Sequence, residues 1–347
     1  MSMKTVSSFI VVSVIALFCS CGTKTTKVKT SEVPKVYMTT DLSPEGLVKI
    51  YEALGRKAKG KVAVKISTGE PGGKNFLQPA LIKDLVQRVN GTIVECNTAY
   101  AGRRNSTEEH LKAAREHGFF AIANVDIMDA EGDFKLPVQD TTHIKYNLVG
   151  NHLKNYDFMI NLAHFKGHAM GGFGGVLKNQ SIGNASSAGK AYIHTAGYTE
   201  SVDEMWKYLG KQMAYLNKMN EAPEAVKTMQ LNFIESMAAA AQSIHEYFGK
   251  GERIIYINVM NNMSVDCDCS AHPAKPLLKD MGIVASLDPV ALDQACLDLV
   301  FAAETDDTSD NRPLVERIKS RHGTHIVDYA EKIGLGSKKY ELVKIDK

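Results

Sequence analysis

Short β-branched runs alternate with amphipathic stretches along this chain. Val62-Ala63-Val64-Lys65-Ile66, Thr92-Ile93-Val94-Glu95-Cys96 and Asp157-Phe158-Met159-Ile160-Asn161-Leu162 have strand length and strand composition. Phe119 to Asn124, Arg253 to Val259, Gly282 to Ala285 and a closing run at Tyr340 to Ile345 read the same way. Before the first of these, Leu47, Ile50, Tyr51 and Leu54 recur at helical spacing behind Ser43-Pro44, an N-cap followed by proline in the first turn. Further helices are predicted over about Pro79 to Val89, from the capping box Ser106-Thr107-Glu108-Glu109 to His117, from Asp288-Pro289 to near Phe301, and around Val327 to Ile333. Strands alternating with helices across short loops predict an α/β fold, a mainly parallel, doubly wound sheet covered on both faces. The alternation stops between about Tyr198 and Phe248. There Trp206, Leu209, Met213, Leu216 and Ala238-Ala239-Ala240-Ala241 are helical in pattern, which predicts a helical insertion at about 198–248.

The first residues follow a different rule. One cation, Lys4, precedes the apolar run Phe9 to Phe18, which is too short for a permanent membrane span and fits the core of a signal peptide over residues 1–20. The run ends at Cys19-Ser20-Cys21-Gly22, similar to a bacterial lipoprotein box with Cys21 as the acylated residue. Residues 21–35 lack apolar periodicity and read as a lipoprotein tether, leaving 36–347 for the α/β domain. The expectation is a lipoprotein anchored on the export side of a bacterial membrane, in the periplasm, with the membrane as a partner through its lipid.

Composition narrows the classes. In 347 residues, 44% hydrophobic and 23% charged positions exclude disordered and collagen-like chains, and six cysteines are too few for a disulfide miniature. Lys plus Arg number 41 against 39 Asp plus Glu, with no basic tract interleaved with aromatics, so no nucleic-acid partner is expected.

Ligands of open α/β sheets bind beyond the carboxyl ends of the strands. The loops there carry Ser67 to Gly73, Asn97 to Asn105, His164 to Asn179 and Asn261 to Cys269. His164 and His168 share a face if their segment is helical, and together can hold a metal; Gly167 and the glycines after it make a loop an equal alternative. Gly171, Gly172, Gly174 and Gly175 either line an anion pocket with backbone amides, with Lys178 as a charge and Asn179 as a hydrogen-bonder, or form a tight packing turn. Asp266-Cys267-Asp268-Cys269 is half of a thiolate metal site, a local disulfide with a redox role, or a turn beside two unpaired buried cysteines. Cys296 lies in a helical apolar pattern and reads as core.

Two segments together resemble a known family. His164-Phe165-Lys166-Gly167-His168-Ala169-Met170-Gly171-Gly172-Phe173-Gly174-Gly175-Val176-Leu177-Lys178-Asn179, continuing through Gly189-Lys190 to His194, is similar to the signature of the bacterial and archaeal family called domain of unknown function 362. The resemblance extends to Lys65 with Gly69-Glu70-Pro71-Gly72, to Asn97 through Arg104, to His110, to Asp266 through Cys269 and to Ser286 through Asp293, covering nearly all of residues 60 to 302. Many members are described as iron-sulfur centre proteins and carry Cys-x-x-Cys-x-x-Cys runs after the position of His194. Here that stretch has no cysteine, so no iron-sulfur cluster is expected.

These readings combine into one expectation: a metal- or anion-dependent enzyme acting on a small anionic molecule. The metal, an unspecified divalent ion, would sit on His164, His168, Cys267 and Cys269. Lys166 and Lys178 would be catalytic, and Lys65, Asn97, Arg103, Arg104, Gly174, Gly175 and Asn179 would bind the ligand. Racemase-like chemistry on hydroxy acids is one analogy at the level of fold. The alternatives are a lipoprotein that binds a metal or small ligand without turnover, and an iron-sulfur redox protein.

Overall fold

The computed structural model describes residues 33–346; the expected signal peptide, Cys21 and nearly all of the tether lie outside the described residues. In chain order the elements are β1 (Lys35–Thr39), α1 (Pro44–Ala53), β2 (Val62–Lys65), α2 (Pro79–Arg88), β3 (Gly91–Glu95), α3 (Thr107–Glu116) and β4 (Val125–Ile127). Then come β5 (Asp133–Pro137), β6 (Tyr146–Gly150), β7 (Phe158–His164), β8 (Lys166–His168), β9 (Gly172–Gly174), α4 (Val176–Ser181), α5 (Ser187–His194), α6 (Val202–Met213) and α7 (Glu224–Tyr247). The chain closes with β10 (Ile254–Met260), β11 (Gly282–Ser286), α8 (Pro289–Ala302), α9 (Arg312–Ser320), α10 (His325–Lys332) and β12 (Glu341–Lys344).

Eight strands form one sheet in the order β12-β1-β11-β10-β7-β2-β3-β4. The run β10, β7, β2, β3, β4 is parallel throughout. β11 runs against both its neighbours, β10 and β1, and β12 is parallel to β1. Every position of β2, β7, β10 and β11 is buried, as strands covered on both faces must be. Alternation divides them: Val62, Val64, Phe158, Ile160, Leu162, Ile255 and Ile257 pack with Leu47 and Ile50 of α1 and Ile82 and Leu85 of α2. Ala63, Met159, Ala163, Ile254 and Tyr256 face the other layer, which holds Leu177 of α4, Phe233 and Ala240 of α7, and Val290 and Cys296 of α8. The fold is a mainly parallel, doubly wound α/β sheet.

Residues 202–247 contain α6, a 3-10 stretch at Leu216–Glu221 and α7, with no strand. Ala238 to Ala241 are buried, so α7 approaches α4 closely, and Gln180 of α4 donates to the Ala241 carbonyl at 2.6 Å. One expected strand is displaced. Gly118, at φ +87°, turns the chain after α3 into a 3-10 turn at Phe119–Ala121, Phe119 fills the core, and pairing resumes only at Val125.

Candidate functional site

The site begins as a register match. Lys65 at the end of β2 lies opposite Asn161 of β7, and both face α4. Asn179 of α4 joins them, donating to the Asn161 side chain at 2.7 Å and to the Lys65 carbonyl at 3.0 Å while accepting from Lys65 Nζ at 3.0 Å. Beyond these strand ends lies a cavity of about 100 Å³ lined by Lys65, Arg104, Lys166, Lys178 and Lys190, with Glu95 and Asp268 as its carboxylates. That is room for a small charged group such as a carboxylate or phosphate.

The carboxylates are already engaged. Arg104, itself buried, bonds Glu70 Oε2 at 3.2 Å and Glu95 Oε1 at 3.3 Å, and His110 lies 3.0 Å from Glu95. Burial opposes the Glu95 charge, but Arg104 and His110 hold its carboxyl well below the usual range. Asp268 accepts from Lys166 Nζ at 2.7 Å and lies 2.9 Å from His164 Nδ1; against the cost of burial, these two neighbours keep it ionised far below ordinary carboxylates. Lys65, Lys178 and Lys190 therefore meet no carboxylate partner among the described residues. Lys65 and Lys190 rest on the carbonyls of Ile66 and Ala185, and Lys178 has no acceptor among the described residues. Burial, then the charges of Lys166, Lys65 and Lys190, lowers the Lys178 amine to about 7, and burial lowers Lys65 to about 8.

The second half of the site is the loop after β10. Cys267 and Cys269 are joined by a disulfide and both line the cavity. The loop is fastened by the Asp268 side chain, by the Glu70 amide donating to the Asp268 carbonyl at 2.7 Å, and by Gly167 N donating to the Ser264 carbonyl at 2.8 Å. Gly167 is required there, because a Cβ would come within 2.2 Å of the Val265 carbonyl oxygen.

The segment holding the two histidines is strand and hairpin, neither helix nor open loop. His164 ends β7 and His168 ends β8, paired with Gly172 of β9. His168, Cys267 and Cys269 offer atoms within 4.8 Å of one another, a group whose donor types could hold a metal. His164 is outside that group: its Nδ1 faces Asp268 and its Nε2 lies 2.6 Å from the Asn261 carbonyl, so it positions the loop. The three remaining donors do not fit a metal as they stand. Both sulfurs are spent in the disulfide, and His168 Nδ1 accepts from the amides of Met170 at 3.2 Å and Gly171 at 2.9 Å. Burial and the Lys178 charge keep that ring neutral, so its proton sits on Nε2 and neither nitrogen has a free lone pair.

Several expected ligand-binding residues prove structural. Arg103 points outward and pairs with Glu109 and Glu116 of α3, only its backbone amide reaching inward to Glu70. Asn97 is held by Thr107 and His110 and does not line the cavity. Gly174 and Gly175 border the cavity, but the amides following them, Val176 and Leu177, donate to Asp293 and are closed to a ligand. A Cβ on Gly175 would strike that carboxylate at 2.3 Å. Sequence reasoning missed Glu95, Asp268 and Lys190 as site residues, although a carboxylate inside the apolar run Thr92 to Cys96 was a visible anomaly.

The family model described as domain of unknown function (DUF362) matches residues 62–298. No curated protein matches the chain in sequence. Among solved structures, the lactate racemase apoprotein from Thermoanaerobacterium thermosaccharolyticum superposes with a TM-score of 0.41 at 14% identity, over 76% of this chain and 56% of that one. A Thermotoga maritima protein gives 0.40 at 12% identity, over 83% and 58%. The chain spans less than two thirds of the length of either.

Proposed function

The chain belongs to the DUF362 family, and from its pocket we propose that it binds and acts on a small, multiply charged anion, bearing carboxylate or phosphate, beside the Cys267–Cys269 loop. One observation carries this reading: Lys65, Lys178 and Lys190 converge on a small cavity whose carboxylates are engaged elsewhere. Uncompensated buried cations are costly, and an anionic ligand supplies the missing charge. Lys178 is the contact that changes most on binding, since its amine has no other partner; Lys166, tied to Asp268, orients the loop and not the ligand. We further propose, from the apolar run that ends at Ser20-Cys21, that the chain is a lipoprotein acylated at Cys21 and facing the export compartment. The engaged state of His168 and both sulfurs favours an anion site over a metal site.

Thermal unfolding with succinate, malate, inorganic phosphate and neutral glycerol tests it. Dianions should raise the Tm by several degrees in low salt, and the rise should shrink in Lys178→Gln and Lys190→Gln. Equal effects of glycerol and dianions would remove the reading.

A further inference from the structure

The disulfide opens onto the cationic pocket, and we infer that it oxidises small anionic thiols, molecules with a sulfhydryl beside one or more carboxylates or phosphates. This rests on the anion-binding reading above.

As a staple the bond achieves little. It closes a loop of three residues, where the chain entropy removed from the unfolded state is smallest, and the loop is independently held by the Asp268 carboxylate and by Arg317, which donates to the Val265 carbonyl at 2.7 Å. Its two sulfurs differ in a way that suits directed exchange. Cys267 is buried at 7% exposure, whereas Cys269 is part-exposed. The Cys269 amide donates to Cys267 Sγ at 3.1 Å, so a donor already faces the sulfur on which negative charge would appear. Asp268, the carboxylate between the two cysteines, is neutralised by Lys166 and does not repel an arriving anion. Lys178 and Lys190 hold the charged end of the thiol in the same cavity.

The exchange runs in two displacements. A thiolate attacks Cys269 Sγ, the S–S bond breaks, and the electron pair leaves on Cys267 Sγ, giving a mixed disulfide on Cys269. A second thiolate attacks the small molecule's sulfur in that mixed disulfide and displaces Cys269 Sγ. Two thiols are oxidised to one small disulfide, the protein disulfide is reduced to a dithiol, and the two thiol protons end on the cysteines or in solvent.

A charge series of thiols tests this on the unmodified protein. Mercaptosuccinate, 3-mercaptopropionate, 2-mercaptoethanol and cysteamine are compared at about pH 7, where Lys65 is charged and Lys178 partly so, with rates expressed per thiolate to remove differences in thiol acidity. We expect mercaptosuccinate to react about tenfold faster than mercaptoethanol and cysteamine to be slowest, with the spread collapsing in about 0.5 M salt. One small disulfide should form per protein, and acid-quenched samples should carry the mixed disulfide on Cys269 by mass spectrometry. A flat or reversed charge order, adducts on Cys267, or protein isolated under air without the bond would each overturn the inference. Thiol-free succinate separates the two readings: stabilisation by succinate with flat thiol rates ends the redox inference alone, and loss of both ends both.

Discussion

At the scale of single residues, Lys178 is where binding and stability pull apart. Its amine, lowered to about 7 by burial and the neighbouring Lys166, Lys65 and Lys190, titrates near 10.4 in an unfolded chain. The folded state therefore binds fewer protons than the unfolded state between about pH 7 and 10, and this group's contribution to stability falls as pH drops through that window. Lys178→Met should raise the Tm at neutral pH by roughly 2 °C, the gain fading toward pH 10, while anion stabilisation shrinks; a fall in Tm would show that the amine is stabilising. The sign for ligand binding is opposite. Anions need the ammonium form, so their Kd should rise by up to about tenfold per pH unit above 7, with a second step near 8 from Lys65, and the first step should vanish in Lys178→Met. Arg104, Glu95 and Asp268 face the same cavity but are locked in ion pairs and stay charged across this range. Calorimetric titration with succinate from pH 6 to 9 reads both steps, and a pH-independent Kd would contradict the assignment. His168 adds a related expectation: with Nδ1 accepting two amides and both sulfurs bonded, the oxidised protein should take up no stoichiometric zinc at this group, which metal analysis after dialysis measures.

At the scale of elements, the site depends on how closely the β8–β9 hairpin meets the loop after β10. Gly167→Ala would press a methyl group against the Val265 carbonyl, 2.2 Å from the new carbon, and the loop must give way. We expect a loss of about 1–3 kcal/mol in stability together with weakened succinate binding, whereas Gly210→Ala, in a solvent-facing part of α6 where nothing lies within reach, should be neutral or slightly stabilising. Equal stability of the two variants would mean that the hairpin is free to move. Legibility in the sequence follows the same physics. β2, β3, β7, β10 and β11 were readable because β-branched runs bounded by turn residues leave few alternatives, α1 and α8 because a capping Ser or Asp followed by proline marks their starts, and α2 because proline opens it. β8 and β9 were not, since Lys-Gly-His and Gly-Phe-Gly carry no strand preference and pair only because the sheet end and the Cys267 loop enclose them. β5 was missed because its five residues, mostly solvent-exposed and ending at Pro137, carry no β-branched run, and α9 because its polar positions outnumber the apolar ones. In the site, motif spacing marked His168, Lys178 and the two cysteines, but it could not tell Arg103 from Arg104. Adjacent residues on a short 3-10 turn point to opposite sides, and only the fold decides which guanidinium meets Glu95 and which meets α3.

At the scale of the whole molecule, the compartment and the chemistry constrain each other. If Cys21 carries lipid, the residues from Gly22 to Val33 can span at most about 40 Å, so the α/β domain and its pocket work close to the membrane surface. An exported position is oxidising, and it is where a part-exposed disulfide at a cavity mouth persists; in a reducing cytosol the same two sulfurs would be thiols. Two altered chains separate the contributions. Cys21→Ser should leave the domain folded and exported but release it from the membrane fraction, with Cys267 and Cys269 still oxidised. Deletion of residues 1–20 should retain the chain in the cytosol, and rapid acid quenching followed by alkylation should find both cysteines modified, while Cys96 and Cys296, buried and raised in pKa by that burial, resist the reagent until the protein is unfolded. Membrane recovery of Cys21→Ser would mean that another segment anchors the chain. Unreactive Cys267 and Cys269 in the cytosolic form would mean that the bond survives a reducing environment, and a bond that stable would act as a staple rather than exchange with small thiols.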